Sequence, residues 1–211
     1  MSEAANRRPL KSRSSGWARS LAAALARTAV TPNQISVASV VFAAAGAAAL
    51  VASGTAPWAL LVCAACVQLR LVCNLLDGMV AVEGGKGSAV GGLYNEIPDR
   101  LADALLLVAA GYAAGVAWLG WCCALLAVTT AYLRALGGAL GLPQDFRGPM
   151  AKQQRMAVLT VACVLGAAEA LLWHSHYALG AALWVIAVGA LTTCMTRTRA
   201  LAHALRARPR A

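Results

Sequence analysis

The sequence predicts an all-α integral membrane protein with six transmembrane helices preceded by a short interfacial amphipathic helix. The chain has 211 residues, of which 60% are hydrophobic, and its mean hydropathy is +0.67. Ordinary soluble domains are less apolar, and six apolar stretches approach the ~20 residues that a helix needs to cross a bilayer. The net charge of +10 comes from basic residues that lie between these stretches and at both ends. This arrangement indicates membrane topology and contact with anionic lipid, and we expect no nucleic-acid partner.

The chain divides into four predicted segments. Residues 1–16 form a disordered basic cytoplasmic tail, and residues 17–30, with Arg19 and Arg27, form a helix at the membrane interface. Thr31 and Pro32 suit the N-cap and the first position of the next helix. Residues 31–196 form the six-helix domain, and residues 197–211 form a second basic cytoplasmic tail. The six spans are expected at residues 35–52, 57–76, 93–116, 118–140, 156–173 and 177–195, the second continuing past Asp77.

The distribution of positive charge predicts the orientation. All 18 Lys and Arg residues can be placed on one side of the membrane or within reach of it. The three connections on the other side, residues 53–58, 115–121 and 173–177, contain no Lys or Arg. By the positive-inside rule both termini are cytoplasmic. We therefore expect a protein of the inner or plasma membrane with its site on the cytoplasmic face.

Most of the acids lie in one stretch, residues 74–103. Five of the eight Asp and Glu residues of the chain fall there, namely Asp77, Glu83, Glu96, Asp99 and Asp103. Asp77 lies 20 residues after Pro57, and Asn95 lies 20 residues before Gly115. At 1.5 Å of rise per residue each interval covers roughly 30 Å and ends at the cytoplasmic interface. Acids gathered at one level of a membrane protein mark a functional site by default.

Helical spacing predicts that these polar groups occupy two facing surfaces. Asn74 and Asp77 are three residues apart on the second span, and Asn95, Asp99 and Asp103 are four residues apart on the third. Two carboxylates about 4 Å apart repel by about 4 kcal/mol at an effective dielectric constant of 20. A divalent cation would remove this repulsion, and ligands that are all oxygens favour Mg²⁺, with Mn²⁺ as the alternative.

Basic side chains offer a second way to neutralise the same acids. Arg70, Arg100 and Lys86 are the candidates for such an ion-pair network. Arg70, seven residues before Asp77, is expected to pair with that carboxylate. Spacing alone leaves both a metal site and an ion-pair network open.

The spacing of this stretch resembles the motif of the CDP-alcohol phosphatidyltransferases. That motif reads D-x-x-D-G-x-x-A-R, then eight residues, then G-x-x-x-D-x-x-x-D. Five positions match it without a gap: Asp77, Gly78, Ala81, Gly91 and Asp99. Three positions depart from it, because Asn74 and Asn95 stand where Asp is expected and Val82 stands where Arg is expected. The Thr31-Pro32-Asn33 entry and the six-span layout are similar too, so the resemblance covers most of the chain.

The resemblance implies a metal-dependent transferase of phospholipid biosynthesis. Such an enzyme moves a phosphatidyl or phospho-alcohol group from a CDP-alcohol, such as CDP-diacylglycerol, to an acceptor alcohol and releases CMP. The implied cofactor is Mg²⁺ or Mn²⁺, as one or two ions. Because an amide oxygen brings no charge, the two Asn residues make one ion plausible.

The resemblance also implies a role for each residue of the site. Metal ligands are expected at Asn74, Asp77, Asn95, Asp99 and Asp103, and nucleotide contacts at Asn74, Asp77, Gly78, Ala81 and Gly91. In the ungapped register Asp99 is the general base or a shared ligand. A register shifted by four residues makes Asp99 and Asp103 the D-x-x-x-D pair, and it keeps Asp103 as a second catalytic candidate.

Basic residues near the fourth and fifth spans are expected to bind the acceptor. Arg134, Lys152 and Arg155 resemble the set that holds an acceptor phosphate or headgroup, and positive-inside anchoring is the alternative explanation. The acceptor is open among glycerol phosphate, inositol phosphate, serine, another phospholipid and a sugar alcohol. Two other functions also stay open: a catalytically silent relative that binds nucleotide-linked lipid or a partner, and a small transporter. A homodimer is a further expectation.

Overall fold

The structure, a computed structural model, describes residues 15–208 and is all-helical over that range, as the sequence predicts. The helices are α1 (Gly16–Ala26), α2 (Pro32–Ala52), α3 (Ala59–Val82), α4 (Gly91–Ala113), α5 (Ala117–Ala139), α6 (Lys152–Leu172) and α7 (Ala178–Arg206). The disorder predicted for the first tail falls almost wholly outside the described residues.

Five of the described helices are long and apolar enough to cross a membrane, namely α2, α3, α5, α6 and α7. Helix α4 has 23 residues but carries four charged residues, Glu96, Asp99, Arg100 and Asp103. These charges separate it from the other five, which account for five of the six predicted spans. The apolar helices support a membrane protein, and α4 is considered below.

Local sequence explains where α2 begins. Thr31 Oγ1 accepts a hydrogen bond from the Gln34 backbone N–H (3.3 Å), and the Thr31 N–H donates to Gln34 Oε1 (2.9 Å). Pro32 occupies the first helical position, where a backbone N–H would have no partner within the helix, so the missing N–H does not destabilise it. This capping box confirms the helix start predicted from Thr31 and Pro32.

Helices α2 to α7 pack around one apolar core. Helix α2 lies against α3 and α4, α4 against α5, α5 against α7, and α6 against α3 and α7. Each helix contributes large buried side chains, for example Leu50, Val67, Leu106, Leu119, Met156 and Leu183. Their outer faces carry exposed Leu, Val and Trp side chains. So much exposed apolar surface suits helices that face lipid.

Two glycines allow α4 and α5 to approach closely. A Cβ atom on Gly120 would lie 2.7 Å from the carbonyl oxygen of Leu107 and 2.8 Å from Cα of Gly111. Small residues at such crossings let the backbones of membrane helices come together. The crossing therefore fixes which face of α4 turns toward the core.

Helix α1 lies against the end of α3 that carries the acids. Ala18 and Ala22 are buried in a cluster with Leu75, Leu76 and Met79 of α3. The other side of α1 is exposed. The helix ends at Ala26, within the predicted range of 17–30.

Helix α7 is longer than the sequence predicts. The predicted domain ends at residue 196 and a tail begins at 197, yet the helix continues to Arg206. Arg197 is only 4% exposed, because its Nη1 donates to the Thr130 carbonyl (2.6 Å) and its Nε to the Arg147 carbonyl (2.9 Å). Leu201 is also buried. These contacts bind the first part of the predicted tail to the helical domain.

Candidate active site

A cavity of about 520 Å³ opens where α3, α4, α5, α6 and α7 meet. Most of the predicted site residues line it: Asn74, Asp77, Gly78, Asn95, Asp99, Arg134, Lys152 and Arg155. Ala81, Gly91 and Asp103 are not among its lining residues. The structure therefore brings the acidic ends of α3 and α4 together, as the spacing predicts, and adds basic residues from α5, α6 and α7.

Asp77 is a buried carboxylate held from two directions. Its Oδ2 accepts a hydrogen bond from Ser36 Oγ (2.7 Å), and its Oδ1 accepts one from the Gly78 backbone N–H (2.5 Å). Ser36 belongs to α2 and is itself buried. Sequence analysis missed Ser36 because 41 residues separate it from Asp77. The only local signal is that Ser36 lies one turn after Pro32, on the helix that the capping box starts.

Asn74 and Asn95 add two amide groups to the same wall. The Nδ2 atom of Asn74 is buried and has no hydrogen-bond partner among residues 15–208. Asn95 is exposed. Both residues line the cavity, so each can present its carbonyl oxygen to a ligand there.

Asp99 is surrounded by cations. Its Oδ1 lies 2.5 Å from Lys152 Nζ and 3.6 Å from Arg70 Nη2, and its Oδ2 lies 3.5 Å from Arg100 Nη2. The ion-pair network that the sequence left open therefore exists at this carboxylate. Lys152, predicted to bind the acceptor, is the nearest of the three cations.

Asp103 lies beneath the cavity and joins two buried arginines. Its Oδ1 contacts Arg70 Nη2 (2.5 Å) and its Oδ2 contacts Arg155 Nη2 (2.9 Å). The side chains of Arg70, Asp103 and Arg155 are 0%, 2% and 2% exposed. Because Asp103 does not line the cavity and each of its oxygens contacts a buried guanidinium group, this geometry does not support Asp103 as a metal ligand or a base. It also corrects the pairing expected for Arg70, which contacts Asp103 and Asp99 rather than Asp77.

Arg155 extends the buried network to two further elements. Its Nη1 donates to the Met150 carbonyl (2.9 Å) and lies 3.3 Å from Thr130 Oγ1. The network thus ties α3, α4, α5 and α6 together directly below the cavity.

Arg134 pairs with an acid of the same cavity. Its Nη2 contacts Glu96 Oε1, and its Nη1 donates to Gln144 Oε1 (2.8 Å). Its guanidinium carbon lies 5.7 Å from the centre of the Phe146 ring. Arg134 therefore holds the loop between α5 and α6 against the cavity. Glu96 neutralises both Arg134 and Arg100.

The same loop contains an acid with a shifted pKa. Partial burial of Asp145 disfavours its charged form, but hydrogen bonds from the backbone N–H and Nε of Arg147 outweigh this effect. The pKa of Asp145 is therefore below its ordinary value. The Arg147 carbonyl in turn accepts from Arg197, which lines the cavity and was not predicted as a site residue.

Lys86 does not join the acids. Its Nζ donates to the Thr28 carbonyl (2.5 Å) and the Val30 carbonyl (3.2 Å). The expectation that Lys86 neutralises carboxylates is therefore wrong, because the turn after α3 carries it to the linker between α1 and α2.

The cavity can offer oxygen ligands to one divalent cation. Within residues 15–208, no group of three or more His, Cys, Asp or Glu side chains is arranged to hold a metal. Two carboxylates, Asp77 and Asp99, nevertheless line one cavity with the amides of Asn74 and Asn95. Mg²⁺ is usually bound by one or two carboxylates together with water and substrate phosphates. This donor set therefore fits one ion that also has a phosphate ligand.

Three curated proteins that resemble this chain are phosphatidylinositol phosphate synthases, which are CDP-alcohol phosphatidyltransferases. The Mycobacteroides abscessus protein is 27% identical over 202 residues, covering 90% of this chain and 83% of that protein. The Mycolicibacterium smegmatis protein is 26% identical over 206 residues, covering 90% and 84%. The Streptomyces avermitilis protein is 27% identical over 184 residues, covering 83% and 74%. No family model matches the chain.

Solved structures of the Mycobacterium tuberculosis phosphatidylinositol phosphate synthase share this fold. The structure with CDP-DAG bound gives a TM-score of 0.71 at 23% identity and covers 87% of this chain and 92% of that chain. The complex with manganese and citrate gives a TM-score of 0.72 at 22% identity and covers 87% and 88%. The relatives and the fold support the resemblance found in the motif.

Proposed function

We propose that this chain is a membrane transferase that moves the phosphatidyl group of a CDP-alcohol, such as CDP-diacylglycerol, to an acceptor alcohol and releases CMP. The observation that carries this proposal is the composition of the cavity. Acidic and amide groups of α3 and α4 face basic groups of α5, α6 and α7 at one end of the apolar helices. The carboxylates can bind a divalent cation and accept a hydroxyl proton, and the basic side chains can bind phosphate. The synthases that resemble the chain support the same reaction in phospholipid biosynthesis.

The acceptor in this proposal carries a phosphate group, as inositol phosphate does. Four basic residues of α5, α6 and α7 line the cavity: Arg134, Lys152, Arg155 and Arg197. Guanidinium groups present paired N–H donors that match phosphate oxygens. An acceptor that carries no anionic group, such as a sugar alcohol, would make no ionic contact with these basic side chains. The relatives' name, phosphatidylinositol phosphate synthase, favours the same class.

Asp99 is the general base in this reaction. The acceptor hydroxyl oxygen attacks the phosphorus that bears the diacylglycerol, and the bond from that phosphorus to the CMP oxygen breaks. The hydroxyl proton passes to the Asp99 carboxylate, which must lie within hydrogen-bond reach of it. Ser36 holds Asp77 in one position on the opposite wall, where this carboxylate would be a ligand of the cation. Catalysis of phosphoryl-type transfer depends mainly on such positioning.

Asn74, Asp77, Asn95 and Asp99 would hold one Mg²⁺ or Mn²⁺ ion. When bound, the ion would neutralise charge on the pyrophosphate of the donor. Asp103 does not belong to this set, and its role is to hold Arg70 and Arg155 in position. Asn74, Asp77 and Gly78 contact the nucleotide, which continues along this end of α3 toward Ala81 and Gly91.

Helix α4 is the remaining transmembrane helix in this proposal. Its 23 residues cover roughly 34 Å at 1.5 Å per residue, enough for a bilayer core of roughly 30 Å. Its charged residues Asp99 and Asp103 are buried, whereas one outer stripe is exposed: Leu93, Ile97, Leu101 and Leu105. The apolar stripe faces lipid while Asp99 and Asp103 face the protein interior. The chain then has six spans, cytoplasmic termini and α1 lying at the interface, and the homodimer stays a prediction.

The test is CMP release by the purified full chain in lipid nanodiscs. CDP-diacylglycerol is supplied with Mg²⁺ or Mn²⁺ and with inositol phosphate, glycerol phosphate, inositol or serine as acceptor. We expect metal-dependent release with a phosphorylated acceptor. Asp77→Asn and Asp99→Asn should abolish it, whereas Glu83→Gln, an exposed acid of the same sequence stretch, should not. Absence of release with every acceptor would refute the transferase and leave the catalytically silent alternative.

A further inference from the structure

Three cations surround the Asp99 carboxylate, and two of them, Arg70 and Arg100, also contact a second acid. Arg70 is completely buried, and its Nη2 also contacts Asp103 and lies near the Asp99 carbonyl. Arg100 lies 3.5 Å from Asp99 and is also paired with Glu96. The Lys152 side chain is 21% exposed, and Asp99 is its only hydrogen-bond or ion-pair partner within the described chain.

The Lys152 side chain can point toward Asp99 or toward the guanidinium groups that line the cavity. It is the first residue of α6, and its four-carbon side chain has a compact charge that can reorient without breaking a second contact. On the same helix, Arg155 lines the cavity, as do Arg134 and Arg197 across it. When Lys152 leaves Asp99, its ammonium group can join these guanidinium groups around an anion.

A divalent cation and Lys152 compete for the same carboxylate oxygen. Lys152 Nζ lies 2.5 Å from Asp99 Oδ1, the space that a metal ion coordinated by this oxygen would need. Two positive groups on one oxygen repel each other, so binding of a cation displaces the ammonium. An anion near Lys152 has the complementary effect, since it attracts the ammonium away from Asp99.

We propose that Lys152 is an exchange group that couples cation binding to phosphate binding. It pairs with Asp99 in the resting protein and moves to the phosphate of the acceptor when a divalent cation takes Asp99. This inference rests on the proposed function. Because coupling between two sites is reciprocal, phosphate must tighten cation binding by the same factor that the cation tightens phosphate binding.

The experiment measures the dissociation constant of Mn²⁺ by electron paramagnetic resonance of the free ion. The full chain in nanodiscs is titrated with and without inorganic phosphate at constant ionic strength, and protein-free samples correct for association of Mn²⁺ with phosphate. In the native protein we expect phosphate to tighten Mn²⁺ binding by about 5- to 150-fold, the usual range for coupled sites. Lys152→Gln should bind Mn²⁺ more tightly in the absence of phosphate, and its coupling factor should be several-fold smaller than that of the native protein, because only the direct attraction between Mn²⁺ and phosphate remains.

Arg100→Gln is the matched control. It removes one positive charge from the other oxygen of Asp99, so it should also tighten Mn²⁺ binding. It should keep the coupling factor, because Lys152 can still exchange. Lys152→Met replaces the glutamine variant if that protein does not fold, as judged by its melting curve.

The outcomes separate this inference from the proposed function. A native protein that binds no Mn²⁺ would overturn both. Native binding of Mn²⁺ without coupling, or coupling of native size in Lys152→Gln, would overturn the exchange and leave the transferase in place. Loss of coupling in Arg100→Gln as well would attribute the effect to general charge, and it would also overturn a specific role for Lys152.

Discussion

Replacement of Asp103 by Asn should destabilise the protein strongly without weakening cation binding. The substitution removes a buried carboxylate that contacts Arg70 at 2.5 Å and Arg155 at 2.9 Å. Both arginines would keep their charge in the protein interior with no acid between them. Loss of one partner from a buried ion pair costs about 3–5 kcal/mol, because the remaining charge is left uncompensated. For a chain of this size, that corresponds to a fall in melting temperature of about 6–20 °C.

The assay is thermal unfolding in nanodiscs, followed by tryptophan fluorescence. Asp145→Asn is the matched control, since that carboxylate pairs with an Arg147 side chain that is 69% exposed. The Asp145 side chain is only 12% exposed, but loss of its charge leaves Arg147 in contact with water rather than buried, so this control should melt closer to the native protein than Asp103→Asn does. In a double-mutant cycle, Arg70→Met should cost less when Asp103 is already Asn, because the two substitutions act on the same contact.

The same variant distinguishes a positioning role from a ligand role. If Asp103 positions the arginines, folded Asp103→Asn should bind Mn²⁺ with nearly native affinity at a temperature well below its melting point. A variant that melts like the native protein but loses Mn²⁺ would refute this reasoning and restore Asp103 as a metal ligand.

Two further predictions follow from buried contacts. Ser36→Ala removes the hydroxyl that donates to Asp77, a contact worth about 1.5–3 kcal/mol for a charged acceptor, so CMP release should fall about tenfold or more. Ser39→Ala is its control, because that hydroxyl donates only to the Ser36 carbonyl, and equal losses would argue against a role for Ser36 in holding Asp77. Gly120→Ala should cost about 1–3 kcal/mol in unfolding free energy, since the added carbon would meet backbone atoms of α4. Gly138→Ala in the same helix meets no atom within 4 Å and should be neutral or stabilising, so similar melting curves for the two variants would contradict the close crossing.

Local periodicity predicted much of the site because its residues lie on two helices. Asn74 and Asp77 on α3, and Asn95 and Asp99 on α4, line one cavity as their spacing predicts. The same periodicity did not decide where the cavity ends. Asp103 lies one turn beyond Asp99 on the same helix, yet that turn carries it below the cavity and into contact with two arginines.

Charge was a weaker guide than apolar periodicity. Arg197 lies in the basic segment that the sequence predicts to be a tail, but its side chain is buried. It donates hydrogen bonds to one carbonyl group of α5 and to one of the following loop. Lys86 lies in the acidic stretch but binds carbonyl groups of the linker before α2. The tertiary fold decides which partner lies within reach of a charged side chain, and sequence composition does not specify that partner.

The sequence by itself determined the helices, the start of α2 and the two faces that carry the acids, because helix geometry and capping depend on residues three or four positions apart. Only the tertiary structure decided the partner of each acid. Ser36 meets Asp77 across 41 residues, Arg70 meets Asp103 across 33, and Lys152 meets Asp99 across 53. These contacts depend on how each helix is rotated about its axis, and packing between helices sets that rotation, as at Gly111 and Gly120.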